Sequence, residues 1–172
     1  MKTAVVLIAL TASLALQTTL SGMLAGGSIA VNLVLVAVVY LALSYGAVTG
    51  LLAGMAGGLV QDALAGGIVG LGGMTKTVIG FFVGVLGAQF NLSTTVPRLV
   101  MFLAATVVHQ AVFEGLHSLI NGRPFVMQLP ATLVQALANG LIGIVAFFIV
   151  EQGPGTLQRR RMQRSSLSNR RF

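Results

Sequence analysis

From residue 3 to residue 158 the chain carries only six charged side chains: Asp62, Lys76, Arg98, Glu114, Arg123 and Glu151. Everything between them is long apolar runs broken by short glycine- or asparagine-containing turns. A run of about 20 apolar residues is long enough to cross the hydrocarbon core of a bilayer. Across the whole chain 8% of residues are charged and 56% are hydrophobic, whereas soluble domains carry roughly 25% charged residues. Most of the surface therefore does not face water. The sequence predicts an all-α integral membrane protein.

Six spans are read at 3–20, 29–43, 47–64, 74–90, 97–120 and 129–152, forming one domain over 1–157 with a basic tail at 158–172. The first run follows Lys2. Its length favours a retained span over a signal peptide. Glycines at 22–27, the short 44–46 turn, the polar 91–97 segment and the Asn121-Gly122 turn separate the runs. The mixture at 65–73 (AGGIVGLGG) reads as a tight connection or a buried re-entrant loop, because irregular backbone at membrane depth must be covered by protein. Glycines 153–155 are expected to end the last span. An even number of spans places both termini on one side. With that side cytoplasmic, Lys2, Arg98 and six tail arginines lie inside, against Lys76 and Arg123 outside, as the positive-inside rule requires. The tail residues Arg159, Arg160, Arg161, Arg164, Arg170 and Arg171 read as a topology signal and a contact for anionic lipid, not as a nucleic-acid surface.

The third span holds a strict pattern. Gly50, Gly54, Gly58, Asp62, Gly66 and Gly70 recur every four residues. On a helix this stride makes one smooth groove interrupted by a carboxylate. Small residues at such spacing let two helices approach closely. The groove is either the bundle's own seam or a binding surface for a partner's helix, made by Gly50, Gly54, Gly58 and Asp62. Lys76, Gly80, Gly84 and Ala88 repeat the stride on the fourth span.

The remaining intramembrane polar residues collect on one level. The up-down order places Asp62, Lys76, Glu114 and His117 near the outer end, with His109 deeper and Gln135 about 9 Å below the outer start of its span at 1.5 Å per residue. One reading pairs Asp62 with Lys76 and Glu114 with a histidine, as intramembrane charges usually pair. The other makes them the lining of a cavity open to the outer face. A metal or acid–base centre is a poorer reading. His109 and His117 are eight residues apart and only loosely share a helical face, and no zinc-protease, phosphate-loop or nucleophile-elbow pattern occurs. No cofactor is expected, and no enzymatic activity.

The stretch GLLAGMAGGLVQDALAGGIVGLGG at 50–73, followed by a span with further glycines, resembles the bacterial rod shape-determining MreD family. That family is similar in fold to the substrate-binding S components of energy-coupling-factor vitamin transporters. The resemblance implies a non-enzymatic inner-membrane subunit of the elongation machinery. It would bind the single-span protein MreC, and through it support MreB filaments and the synthase pair of RodA and its class B penicillin-binding protein. Gly50, Gly54, Gly58 and Asp62 carry over as a packing surface near that partner. The alternative class is a small-molecule-binding subunit of a vitamin transporter.

Overall fold

The computed structural model describes residues 2–23, 31–66, 68–90 and 94–168, with residues 2, 21–23 and 151–168 described by backbone alone. These residues form six helices: α1 Lys2–Met23, α2 Leu33–Tyr45, α3 Ala47–Ala65, α4 Leu71–Gln89, α5 Thr95–Asn121 and α6 Leu129–Ser168. Five of them contain a stretch long and apolar enough to cross a membrane. Their outward faces remain apolar, as with Leu133, Leu137, Leu141 and Val145 along α6. The chain is a multi-pass helical membrane protein.

The exception among the expected spans is α2. It has 13 residues, about 20 Å at 1.5 Å per residue, against a hydrocarbon core of about 30 Å. Its sequence (LVLVAVVYLALSY) has no polar face, and the reason is its position. It touches all five other helices, and Val34, Leu35, Val38, Val39, Leu41 and Ala42 are almost completely buried. A helix sheathed by other helices need not match the thickness of lipid. It must, however, satisfy its end amides from within. Asn32 caps it through its side chain on the Leu35 amide (3.1 Å). Gln17 of α1 accepts from the Leu33 amide (2.7 Å) and donates to the Val31 carbonyl (3.1 Å). Asn139 of α6, fully buried, accepts from the Asn32 amide (2.9 Å) and donates to Thr106 Oγ1 of α5 (3.2 Å). One helix start thereby ties α1, α2, α5 and α6 together. At the opposite end, Tyr40 packs on Phe147 with ring centres 4.6 Å apart, Phe102 meets Phe147 edge-on, and the Arg98 guanidinium lies 4.4 Å above the Phe147 ring, a cation–π arrangement.

The connections are tighter than expected. A single residue, Gly46, joins α2 to α3, and its φ of +93° is one that glycine adopts without strain. The 65–73 segment takes in two helix ends: α3 runs to Ala65 and α4 begins at Leu71, three residues before the expected start of the fourth span. The Gly22–Gly27 turn lies outside the described residues beyond Met23. The last helix does not end at Gly153–Gly155 but continues to Ser168. Beyond Pro154 the sequence is rich in Leu, Gln, Arg and Met, all good helix formers. The tail arginine side chains lie outside the described residues, and Arg170 and Arg171 lie outside entirely.

Candidate functional site

The glycine groove of α3 is filled by the chain's own α4. A Cβ on Gly50 would fall on the carbonyl oxygen of Gly80, and a Cβ on Gly80 would fall on that of Gly50. A Cβ on Gly54 would meet the Lys76 carbonyl, one on Gly58 the Gly73 Cα (2.6 Å) and Gly72 oxygen (2.7 Å), and one on Gly84 the Ala47 backbone. The two helices approach backbone to backbone along their length, a geometry that permits Cα–H···O contacts. The second stride, on α4, is the counterpart of the first.

Asp62 does not form an ion pair with Lys76 among the described residues. It lies in the last turns of α3 and reaches the start of α4. Its Oδ2 accepts from the amides of Gly70 (2.9 Å), Gly72 (2.9 Å) and Gly73 (3.1 Å). The Leu71 amide is taken by the Ile68 carbonyl (3.3 Å), and the Met74 amide opens the helical ladder on Gly70 (2.8 Å). Every amide that the start of α4 leaves without an intrahelical partner is thus satisfied. The carboxylate also meets the positive end of the helix dipole. The surrounding glycines follow from this contact. Gly70 has φ +104°, and a Cβ at Gly72 would strike Asp62 Oδ1.

Around this cap two cavities adjoin, sharing Asp62, Ala65 and Phe113. The inner one, about 180 Å³, is lined by Asn32, Gln61, Asp62, Ala65, Lys76, His109, Gln110 and Phe113. The outer one, about 240 Å³, is lined by Asp62, Ala65, Ile68, Leu71, Phe113, Glu114 and His117. Asp62, Lys76, His109, Glu114 and His117 are therefore brought to one cleft, at the bundle end where α3 stops and α4 starts. Gln135 lines neither cavity, and Asn139, one turn further along α6, is the side chain that turns inward instead.

Within the cleft the pairings differ from those expected. Glu114 accepts from Gln110 Nε2 (3.1 Å), one turn before it on α5, and not from a histidine. His109 and His117 are linked by an intervening ring. Phe113 stacks on His109 at 6.0 Å and on His117 at 6.3 Å, with interplanar angles of 17° and 11°. The three rings recur at i, i+4 and i+8 and make one ladder, a closer alignment than their separation alone suggested. Lys76 is 2% exposed and His109 3%. Both ring nitrogens of His109 and the Gln61 Oε1 are buried with no hydrogen-bond partner among the described residues. Nothing in the sequence marks Gln61, whereas Phe113 stands at a helical spacing from both histidines. That i+4 ladder was the available signal for Phe113. Among the described residues no three His, Asp or Glu side chains gather to hold a metal ion. The arrangement offers a buried ammonium, a buried imidazole and amides, which suit the binding of a small polar molecule.

These features define a multi-pass helical membrane protein with a closed α3–α4 seam and a polar cleft at one end of the bundle. In comparisons with protein-family models, curated proteins and solved structures, the chain matches none.

Proposed function

We propose that the chain is a non-enzymatic scaffold of the bacterial rod elongation machinery, acting in the inner membrane as an MreD-type subunit. The observation that carries this reading is that the stretch by which the chain resembles that family is one structural unit. Gly50, Gly54, Gly58, Asp62, Gly70, Gly72 and Gly73 are all used in closing the α3–α4 hairpin. In this reading α2 counts as the sixth crossing and both termini are cytoplasmic. Charge supports the orientation: Lys76 is inside the bundle rather than in a loop, which leaves Arg123 as the loop cation of the outer side. The arginine tail then sits against the anionic inner leaflet.

Docking of the single helix of MreC takes place on an outward apolar face, since the glycine groove is occupied by α4. Through MreC the chain supports MreB, RodA and its class B penicillin-binding protein. The polar cleft favours a second reading, a ligand-binding subunit similar to the S components of vitamin transporters. Affinity capture of the tagged full chain from native bacterial membranes after mild cross-linking separates the two. Recovery of MreC in near-equal amount is the expected result. Recovery of transporter ATPases in its place would reject the scaffold.

A further inference from the structure

We propose that the inner cavity binds a small carboxylate bearing a hydrogen-bond donor on the neighbouring carbon, the chemistry of an α-hydroxy or α-amino acid. Three residues that line it carry polar groups with no protein partner among the described residues. The Lys76 ammonium has neither a hydrogen bond nor an ion pair within 4.0 Å among the described residues. His109 has two unpaired ring nitrogens, and Gln61 has an unpaired carbonyl oxygen. Buried polar groups are almost always hydrogen-bonded. Leaving such a group without a partner is costly, the more so when it is charged.

The set has a direction. Lys76 and one nitrogen of His109 offer donors, which a carboxylate accepts. The Gln61 oxygen asks for a donor, which a hydroxyl or ammonium beside the carboxylate supplies. Asp62 shares the cavity, but its Oδ2 is already held by three amides at the positive end of α4, which lessens its repulsion of an anion. Glu114, in the outer cavity, is engaged with Gln110. Size agrees as well. A cavity of about 180 Å³, well above the ~10–15 Å³ that one water needs, has room for a small carboxylate such as lactate.

The test uses the full chain in zwitterionic nanodiscs, labelled with 15N-histidine. The chain has two histidines, so His117→Gln assigns the His109 ring. Sodium L-lactate, sodium acetate and ethylammonium chloride are titrated at constant ionic strength. The proposal expects the His109 ring signals to move saturably with lactate, more weakly with acetate, and not with ethylammonium. It also expects Lys76→Gln to weaken lactate binding about tenfold or more, the loss of one charged hydrogen bond. If Lys76→Gln does not fold, Gln61→Leu decides, and it is expected to remove the advantage of lactate over acetate. An unmoved His109, which would indicate a cavity that takes water only, overturns the proposal. So does a saturable response to ethylammonium, or a lactate response unchanged in the variants.

Discussion

Gly50 and Gly80 occupy each other's missing side chain: the carbonyl oxygen of each stands where the Cβ of the other would be. Neither position can accept even alanine without parting α3 from α4. Because backbone, unlike a flexible side chain, cannot swing aside, the seam is intolerant at each of its crossing points.

At Gly54 a side chain would run into the Lys76 carbonyl. Gly54→Leu is expected to destabilise the folded bundle itself by about 3 kcal/mol or more, since overpacking a close contact costs about 1–3 kcal/mol and here the obstacle is backbone. Reversible unfolding in mixed micelles measures it. A fully stable Gly54→Leu protein that had only lost a partner would restore the groove to a docking surface.

Asn139 bridges the start of α2 to Thr106 of α5 and is fully buried. Replacement by alanine leaves the Asn32 amide without its acceptor. A loss of about 1–2 kcal/mol is expected, above the 0.6 kcal/mol average for interhelical bonds in membranes because a helix-start amide is orphaned. Hydrogen exchange should rise at Asn32 while the α3–α4 seam stays protected. Equal loosening of both regions would mean that the network is not local.

Helix α1 is the least enclosed, with only Leu10 and Ser13 buried between residues 3 and 20. Gln17 is its polar tie to α2. Gln17→Leu keeps the segment hydrophobic and removes that tie. Limited proteolysis in detergent is expected to cut between α1 and α2 several-fold faster, with the remaining helices intact. Unchanged cleavage would show that apolar packing through Leu10 holds α1 unaided.

Much of the architecture was legible in the sequence because the bilayer demands long apolar runs, and the runs sit close to the helices. The glycine stride was legible as a close-packing face, but the stride alone does not name the helix that fills it, since any smooth helix fits. The role of Asp62 was hidden for a different reason. Its partners are backbone amides eight to eleven residues away, and amides carry no sequence signature beyond the glycines that make room for them. The stride therefore read as a groove ending in a stray acid, and the lysine nearby as its natural counter-ion. The dense valine and leucine of α2 read as one more span, because burial among helices and burial in lipid select the same side chains. In the cleft, Asp62, Lys76, His109, Glu114 and His117 followed from topology. Gln135 did not, because a level along the helix axis does not fix which way a residue faces.

Asp62 closes the α3–α4 hairpin by capping α4. The most direct measurement is amide hydrogen exchange at Gly70, Gly72 and Gly73 in nanodiscs, for the unaltered chain and for Asp62→Ala and Asp62→Asn. Hydrogen bonds to a charged group are worth about 1.5–3 kcal/mol. Exchange at these three amides is therefore expected to rise about tenfold to a hundredfold in Asp62→Ala, and less in Asp62→Asn, which keeps an acceptor oxygen. Protection that is the same in all three proteins would mean that Asp62 does not cap α4.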